Sequence, residues 1–171
     1  MTIYLRPFTL ADLPALVKYG DNPNIAANLT DTFPHPYTEE SGRRFINHIA
    51  NDTSKLIRAV IYDDACIGAI GLHPQTDIWQ KNAELGYWLA EPFWGKGIMT
   101  LAVQKMTVYG FEKLRIDRIF ARPFGSNTGS QKVLEKAGFS LEARLPKTIF
   151  KDGKYEDELI YGLRRDTLLP S

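Results

Sequence analysis

The apolar positions of this chain change period several times, and each change marks an element. β-rich apolar runs at Ile3–Leu5, Leu56–Tyr62, Cys66–Leu72 and Ala83–Leu89 predict strands, the first stopped by Arg6-Pro7 and the middle two joined at Asp63-Asp64. Between them the spacing is helical. Leu13, Leu16 and Val17 follow a capping-box pattern at Thr9–Asp12 and run to Gly20, and Thr38 with Glu39 and Glu40 opens a second helix whose inner face is Phe45, Ile46 and Ile49. After Gly97, Met99, Ala102, Val103, Met106 and Tyr109 form one stripe, with Thr100, Gln104 and Thr107 on the polar side. Ile116–Ala121 reads as a strand. Thr128–Gln131 has the form of a capping box ahead of Val133, Leu134 and Ala137, and Gly138 is the expected C-terminal cap. Phe139–Leu145 extends again, and Thr148–Phe150 with Tyr155–Leu163 makes a hairpin on Asp152-Gly153.

The resulting order, β-α-α-β-β-β-α-β-α-β-β, predicts one α/β domain over residues 1–171, a mixed sheet flanked by helices. The helix between Leu89 and Ile116 makes those two strands a parallel crossover pair. Asp21–Tyr37 is the exception to all periodicity. It carries Pro23, Pro34 and Pro36 beside Leu29, Phe33, His35 and Tyr37, so its apolar residues either fold over a ligand or plug the edge of the core. His35, held between prolines, has the setting of a surface residue.

A formal net charge of +1 gives no basic face of the kind phosphate-backbone binding needs, which argues against nucleic acid as a partner. The single cysteine, Cys66, lies in an apolar run; it excludes an internal disulfide and reads as a buried, inert thiol in a reducing cytoplasm. No basic-then-apolar leader and no membrane-length apolar run is present, so a cytoplasmic protein without a membrane partner is expected.

Candidate chemistry concentrates at Gly95-Lys96-Gly97. Glycines on both sides of a turn let the main chain approach a ligand closely, and the helix that follows begins with free amide donors and a partial positive charge. The turn therefore reads as a pyrophosphate site, with the preceding strand holding the reactive arm of the same cofactor. A dinucleotide fingerprint fails because Thr100 stands where its third glycine should be, and there is no Walker A loop.

Three blocks in order carry a family resemblance: Trp94-Gly95-Lys96-Gly97-Ile98-Met99-Thr100, then Asn127-Thr128-Gly129-Ser130, then Leu134-Glu135-Lys136-Ala137-Gly138-Phe139. Together they resemble the GCN5-related N-acetyltransferases (GNATs), in the RimJ/RimL-like branch that acts on ribosomal-protein N-termini. The resemblance implies a mostly antiparallel sheet with a central splayed parallel pair and about four flanking helices. It implies acetyl-CoA as donor and no metal. The pyrophosphate would lie on the amides from Gly95 to Thr100, including those of Lys96, Ile98 and Met99, and the pantetheine arm would pair with Tyr87, Trp88 and Leu89. Asn127 and Ser130 match positions that touch the arm and its sulfur, and Ser130 would then protonate the departing thiolate. Plain helix capping is the competing explanation for both. Trp94 stands where the family often has Gln or Arg, and Met99 where a small residue is common.

The group that deprotonates the amine stays open at this level. Glu84 matches a family glutamate, yet it alternates with Gly86 and Trp88, opposite to Leu85, Tyr87 and Leu89, so a bulge would be needed to turn it. Asp157 shares a strand face with Tyr155, Leu159 and Tyr161, where a carboxylate is either paired or functional. Ordered water is the third option. The acceptor, a protein N-terminus or a small-molecule amine, is expected between the Asp21–Tyr37 loop (Phe33, His35, Tyr37) and the last hairpin, on a monomer or homodimer. A non-catalytic acyl-CoA-binding module on the same fold is the alternative, since fold does not fix function.

Overall fold

Tight turns set the outer half of the sheet. Asp63 and Asp64 both take left-handed backbone (φ 47° and 60°), the geometry that joins antiparallel strands without splaying them, and they connect β2 (Leu56–Tyr62) to β3 (Ala65–Pro74). Asp152 and Gly153 (φ 49° and 76°) do the same between β6 (Ser140–Lys151) and β7 (Lys154–Arg164). With β1 (Ile3–Arg6), β4 (Asn82–Leu89) and β5 (Arg118–Ala121), these form one seven-stranded sheet in the order β1-β2-β3-β4-β5-β7-β6. All neighbours are antiparallel except β4 and β5, as the crossover predicted. The computed structural model describes residues 2–168; Met1 and residues 169–171, the ends of the expected 1–171 domain, lie outside the described residues.

The helices are α1 (Leu13–Gly20), a short α2 (Pro23–Ala26), α3 (Glu39–Asn51), α4 (Ile98–Lys113), α5 (Thr128–Lys136) and a terminal turn, α6 (Arg165–Leu168). The start of α1 is fixed by charge: the Thr9 N–H and the Arg6 guanidinium both donate to the buried Asp12 carboxylate, at 2.8 Å and 2.7 Å. α2 breaks the expected irregular stretch, because the Asn22 side chain caps it by accepting from the Asn24 N–H. The first cap expected at Thr128 lies one residue earlier, where the Asn127 side chain accepts from the Ser130 N–H at 3.1 Å. The extended stretches on either side of Pro146 are one strand, β6, whose register against β7 slips between Leu145 and Ile149.

Two apolar clusters fill the two faces of the sheet. The larger joins Leu85, Leu89, Val60 and Ile67 to α4 and α5; the smaller joins Ala59, Ile61 and Cys66 to Leu13, Leu16, Ile46 and Tyr37. Burial pushes the Cys66 thiol up to about 11, in keeping with an inert role. Helix α4 is buried over more of its surface than its stripe predicted. Thr107, expected on the polar side, is buried with its hydroxyl donating to the Val103 carbonyl at 2.7 Å, because the helix is sandwiched between the sheet and α5. Among the described residues, no helix is long and apolar enough to cross a membrane.

Candidate active site

The parallel pair does not stay paired. β4 and β5 are in register only at Asn82–Glu84 against Arg118–Phe120, and beyond Glu84 they separate while β4 remains bonded to β3 as far as Leu89. Strand alternation then says which main-chain groups open into the gap. The Asn82 carbonyl and the Ala90 N–H bond to the β3 side, whereas the Lys81 carbonyl accepts from residues entering β5. The odd-numbered residues Leu85, Tyr87 and Leu89 therefore point their amides and carbonyls at an edge with no strand opposite. One of these groups is already used: the Trp94 indole N–H donates to the Leu89 carbonyl at 2.7 Å. Trp94 thus ties the glycine turn to the end of β4.

That turn is built for backbone donation. Gly95 and Gly97 sit at φ 72° and 75°, and no atom lies within 4 Å of where a Cβ would be on either. Gly97 opens the sixteen-residue α4 without any side-chain cap. Among the described residues, no main-chain N–H from Gly95 to Thr100 has a protein acceptor, and the first helical bond is Leu101 N–H to Gly97 O at 3.2 Å. A row of unspent donors at a helix start is an anion site.

Both features open into one cavity of about 640 Å³. Its lining includes Tyr87, Trp88, Leu89, Trp94, Gly95, Gly97, Ile98, Met99 and Thr100, together with Asn127, the cap of α5, and Ser130 in its first turn. The Lys96 ammonium lies 5.5 Å over the ring of Phe93. Ser130 is not merely a cap. Its Oγ is 2.7 Å from the Tyr87 hydroxyl, and burial raises the Tyr87 phenol well above its ordinary value, so this oxygen keeps its proton. The family blocks imply only a backbone role for Tyr87; the one sequence signal for the hydroxyl pair is a tyrosine in the strand that precedes the glycine turn.

The acceptor side differs from expectation. Glu84 lines the cavity without any bulge in β4, on the sheet face opposite to Tyr87. Arg122 grips it through two hydrogen bonds of 3.0 Å and 3.1 Å and also reaches Glu158 at 3.5 Å. Asp157 is not brought to the cavity. The Lys147 N–H and the Arg144 guanidinium hold its carboxylate below the usual range, where it bonds the bulge of β6. Phe33, His35 and Tyr37 are likewise not cavity residues. Phe33 packs on Tyr37 and Trp88, Tyr37 is buried between α1 and α3, and the exposed His35 lies 3.5 Å from Asp21. Their loop reaches the cavity earlier, through Asn24, Ile25, Asn28, Leu29 and Thr30. Among the described residues, no cluster of metal-ligating side chains occurs.

A splayed parallel pair meeting a donor-rich glycine turn is the arrangement that the sequence blocks implied, and the family model for the acetyltransferase (GNAT) domain matches residues 2–140. The chain is a GNAT acetyltransferase. It is 38% identical over 171 residues to the probable N-acetyltransferase YjcK of Bacillus subtilis, covering 95% of this chain and 93% of that one. It is 29% identical to the ribosomal-protein-serine acetyltransferase of Escherichia coli over 60% of this chain and 57% of the relative. The solved structure of Mycobacterium smegmatis RimJ in complex with CoA-disulfide superposes with a TM-score of 0.88 at 23% identity, covering 99% of this chain and 84% of RimJ, which shows the shared fold. This GNAT protein is thus an acetyl-CoA-dependent N-acetyltransferase of RimJ/RimL-like type.

Proposed function

We propose that this acetyltransferase moves the acetyl group directly from acetyl-CoA to a primary amine in a ternary complex. The observation that carries the reading is the continuity of three parts: free amides at Gly95–Thr100, the unpaired edge of β4, and the Tyr87–Ser130 hydroxyl pair. The diphosphate would rest on the amides, and the pantetheine amides would complete the strand edge at Leu85–Leu89. An N–H on that edge would polarise the thioester carbonyl and steady the oxyanion. As the C–N bond forms and the C–S bond breaks, the leaving sulfur would take a proton from the Ser130–Tyr87 pair. Nothing in this scheme needs a covalent acetyl-enzyme, since Cys66 is buried in the other cluster with a raised pKa.

Glu84 is the carboxylate on the acceptor side, and a protein N-terminal amine is the acceptor favoured by the ribosomal-protein relative. Release of CoA thiol should be measured against peptides with free N-termini, polyamines and amino acids, with acetyl-CoA alone as control. Rapid release only when a peptide is present supports the proposal; a stoichiometric burst without acceptor would argue for an acetyl-enzyme and against it.

A further inference from the structure

The cavity ends where the parallel ladder begins, and that end is narrow. The last rung between β4 and β5 joins Glu84 to Phe120, and the one before it joins Ala83 to Ile119. Continued by one step, the ladder would set Leu85 opposite Ala121, and this rung is the first one missing. Alternation puts both side chains on the helix-covered face, where each is only 3% exposed and belongs to the larger core cluster. Both line the cavity, whereas Ala83 and Ile119, one rung below on the same face, are fully buried and lie outside it. Leu85 and Ala121 therefore stand at the apex of a wedge. Paired strands run about 4.8 Å apart, and a gap that admits one extended arm needs about twice that, so the wedge closes between Tyr87 and Glu84. Its two walls differ in bulk: β4 contributes a leucine, and β5 contributes a single methyl group.

We propose that the Leu85–Ala121 step is the acyl gauge of this enzyme, with Ala121 the residue that sets how long an acyl group it transfers. The inference rests on the transferase reading above. With the diphosphate on the glycine turn and the arm running along β4 from Leu89 towards Leu85, the sulfur comes level with the Tyr87–Ser130 hydroxyls, and the acyl group points on into the apex. The geometry of the transfer fixes the direction of its tail. The carbonyl oxygen is turned to the β4 edge, the sulfur lies behind, and the amine approaches the carbonyl carbon from the open face at Glu84 and Gly86. The remaining substituent is left with the side towards β5.

A methyl group fits there beside Ala121. Each further carbon has to displace Leu85, Ala121 or the sealed rung beneath them, all parts of a close-packed core that takes up extra methylenes only with strain. Folding a longer tail out onto the acceptor face is no relief, because it would lie against the Arg122–Glu84 ion pair and stand in the path of the amine.

The test measures kcat/KM of the wild type, A121G and L85V with acetyl-, propionyl- and butyryl-CoA, using whichever of peptide, polyamine or amino acid releases thiol fastest. In the wild type each added methylene should lower kcat/KM about 10- to 100-fold. In A121G the propionyl-to-acetyl ratio should rise at least about 10-fold, and L85V should move it in the same direction by opening the other wall. Wild-type turnover of butyryl-CoA within about threefold of acetyl-CoA overturns the inference. So does a ratio unmoved in both variants, the result expected if these residues only support the fold and all donors lose rate alike. Should neither variant fold, calorimetry on the wild type decides: butyryl-CoA must bind more weakly than acetyl-CoA, and equal affinities overturn the assignment. A wild type that binds CoA and transfers acetyl groups but ignores acyl length sinks the gauge alone; a wild type that binds no CoA sinks the transferase reading and the gauge with it.

Discussion

The donor and acceptor ends of this molecule are built from different materials. In the transfer proposed above, the working atoms of the donor end are main-chain: amides of a turn held open by two left-handed glycines, and one strand edge left bare where β4 and β5 part. At the proposed acceptor end they are side chains, Glu84, Arg122 and the residues of the Asn24–Thr30 stretch, brought together from strands and a loop distant in sequence. Backbone function needs only the right conformation, so it tolerates many neighbours. Side-chain function needs particular groups facing one another, so it changes with each local substitution.

The sharpest break of this comparison is Gly97→Val. A β-branched residue at φ 75° is strained, although no neighbour crowds the position, so the turn should re-form with its amides misdirected. Acetyl-CoA affinity should fall at least about 100-fold, by roughly 3 kcal/mol of lost anion contacts, while circular dichroism stays native; unaltered affinity would place the donor elsewhere. Next comes Tyr87→Phe, which leaves the donor's backbone contacts in place but removes one hydroxyl of the leaving-group pair. A drop in kcat of about 10- to 100-fold is expected, with donor affinity held within about threefold, and a change in affinity alone would mean that Tyr87 only lines the site.

Asp12→Asn probes the scaffold beneath the acceptor loop. Burial alone would raise the Asp12 pKa, yet hydrogen bonds from Arg6 and from the Thr9 N–H outweigh it and hold the folded value below 3.8. A carboxylate lowered on folding stabilises the protein above its unfolded pKa and loses that contribution as pH falls through the folded one. Wild type should therefore melt a few degrees above the variant at pH 7, and the gap should close below about pH 4; a gap independent of pH would mean that packing, not charge, is responsible. The smallest effect belongs to Lys151→Ala. Lys151 bridges the hairpin tip to Asp31 of the acceptor loop at 2.8 Å, and Asp31 is exposed. Acceptor KM should rise about two- to fivefold with donor affinity constant, and an effect on the donor instead would contradict the division of the two ends.

The same division explains what could be read before any coordinates. Glycines at 95 and 97, followed by a helical stripe, announce a backbone device because few other residues adopt those dihedrals. The succession of strands along the chain was likewise legible from period changes and from the Asp63-Asp64 and Asp152-Gly153 turns, whereas the insertion of β7 between β5 and β6 was not. Arg122 carried no comparable mark: an arginine following a short strand is ordinary until the fold sets it beside Glu84 and Glu158. Phe33 and Tyr37 misled for a related reason. Apolar residues in an irregular loop look the same whether they face a ligand or the core, and here Trp88, on another strand, recruits Phe33 into the core. Asp157 was visible as an anomaly on its strand face, but its partner Arg144 and the bulge at Lys147 depend on a register slip that no local pattern encodes.

The ties at the two ends of the acceptor segment have one more consequence. Asn22 and Asn24 both donate to the Glu91 carboxylate, at 2.6 Å and 3.1 Å, a few residues before the glycine turn, while Asp31 is moored to the hairpin through Lys151. A stretch fastened at both ends behaves as an interchangeable cassette. The six residues between the moorings, 25–30, could be swapped for those of a relative with other tastes, retargeting the enzyme without disturbing the machinery that delivers the acetyl group.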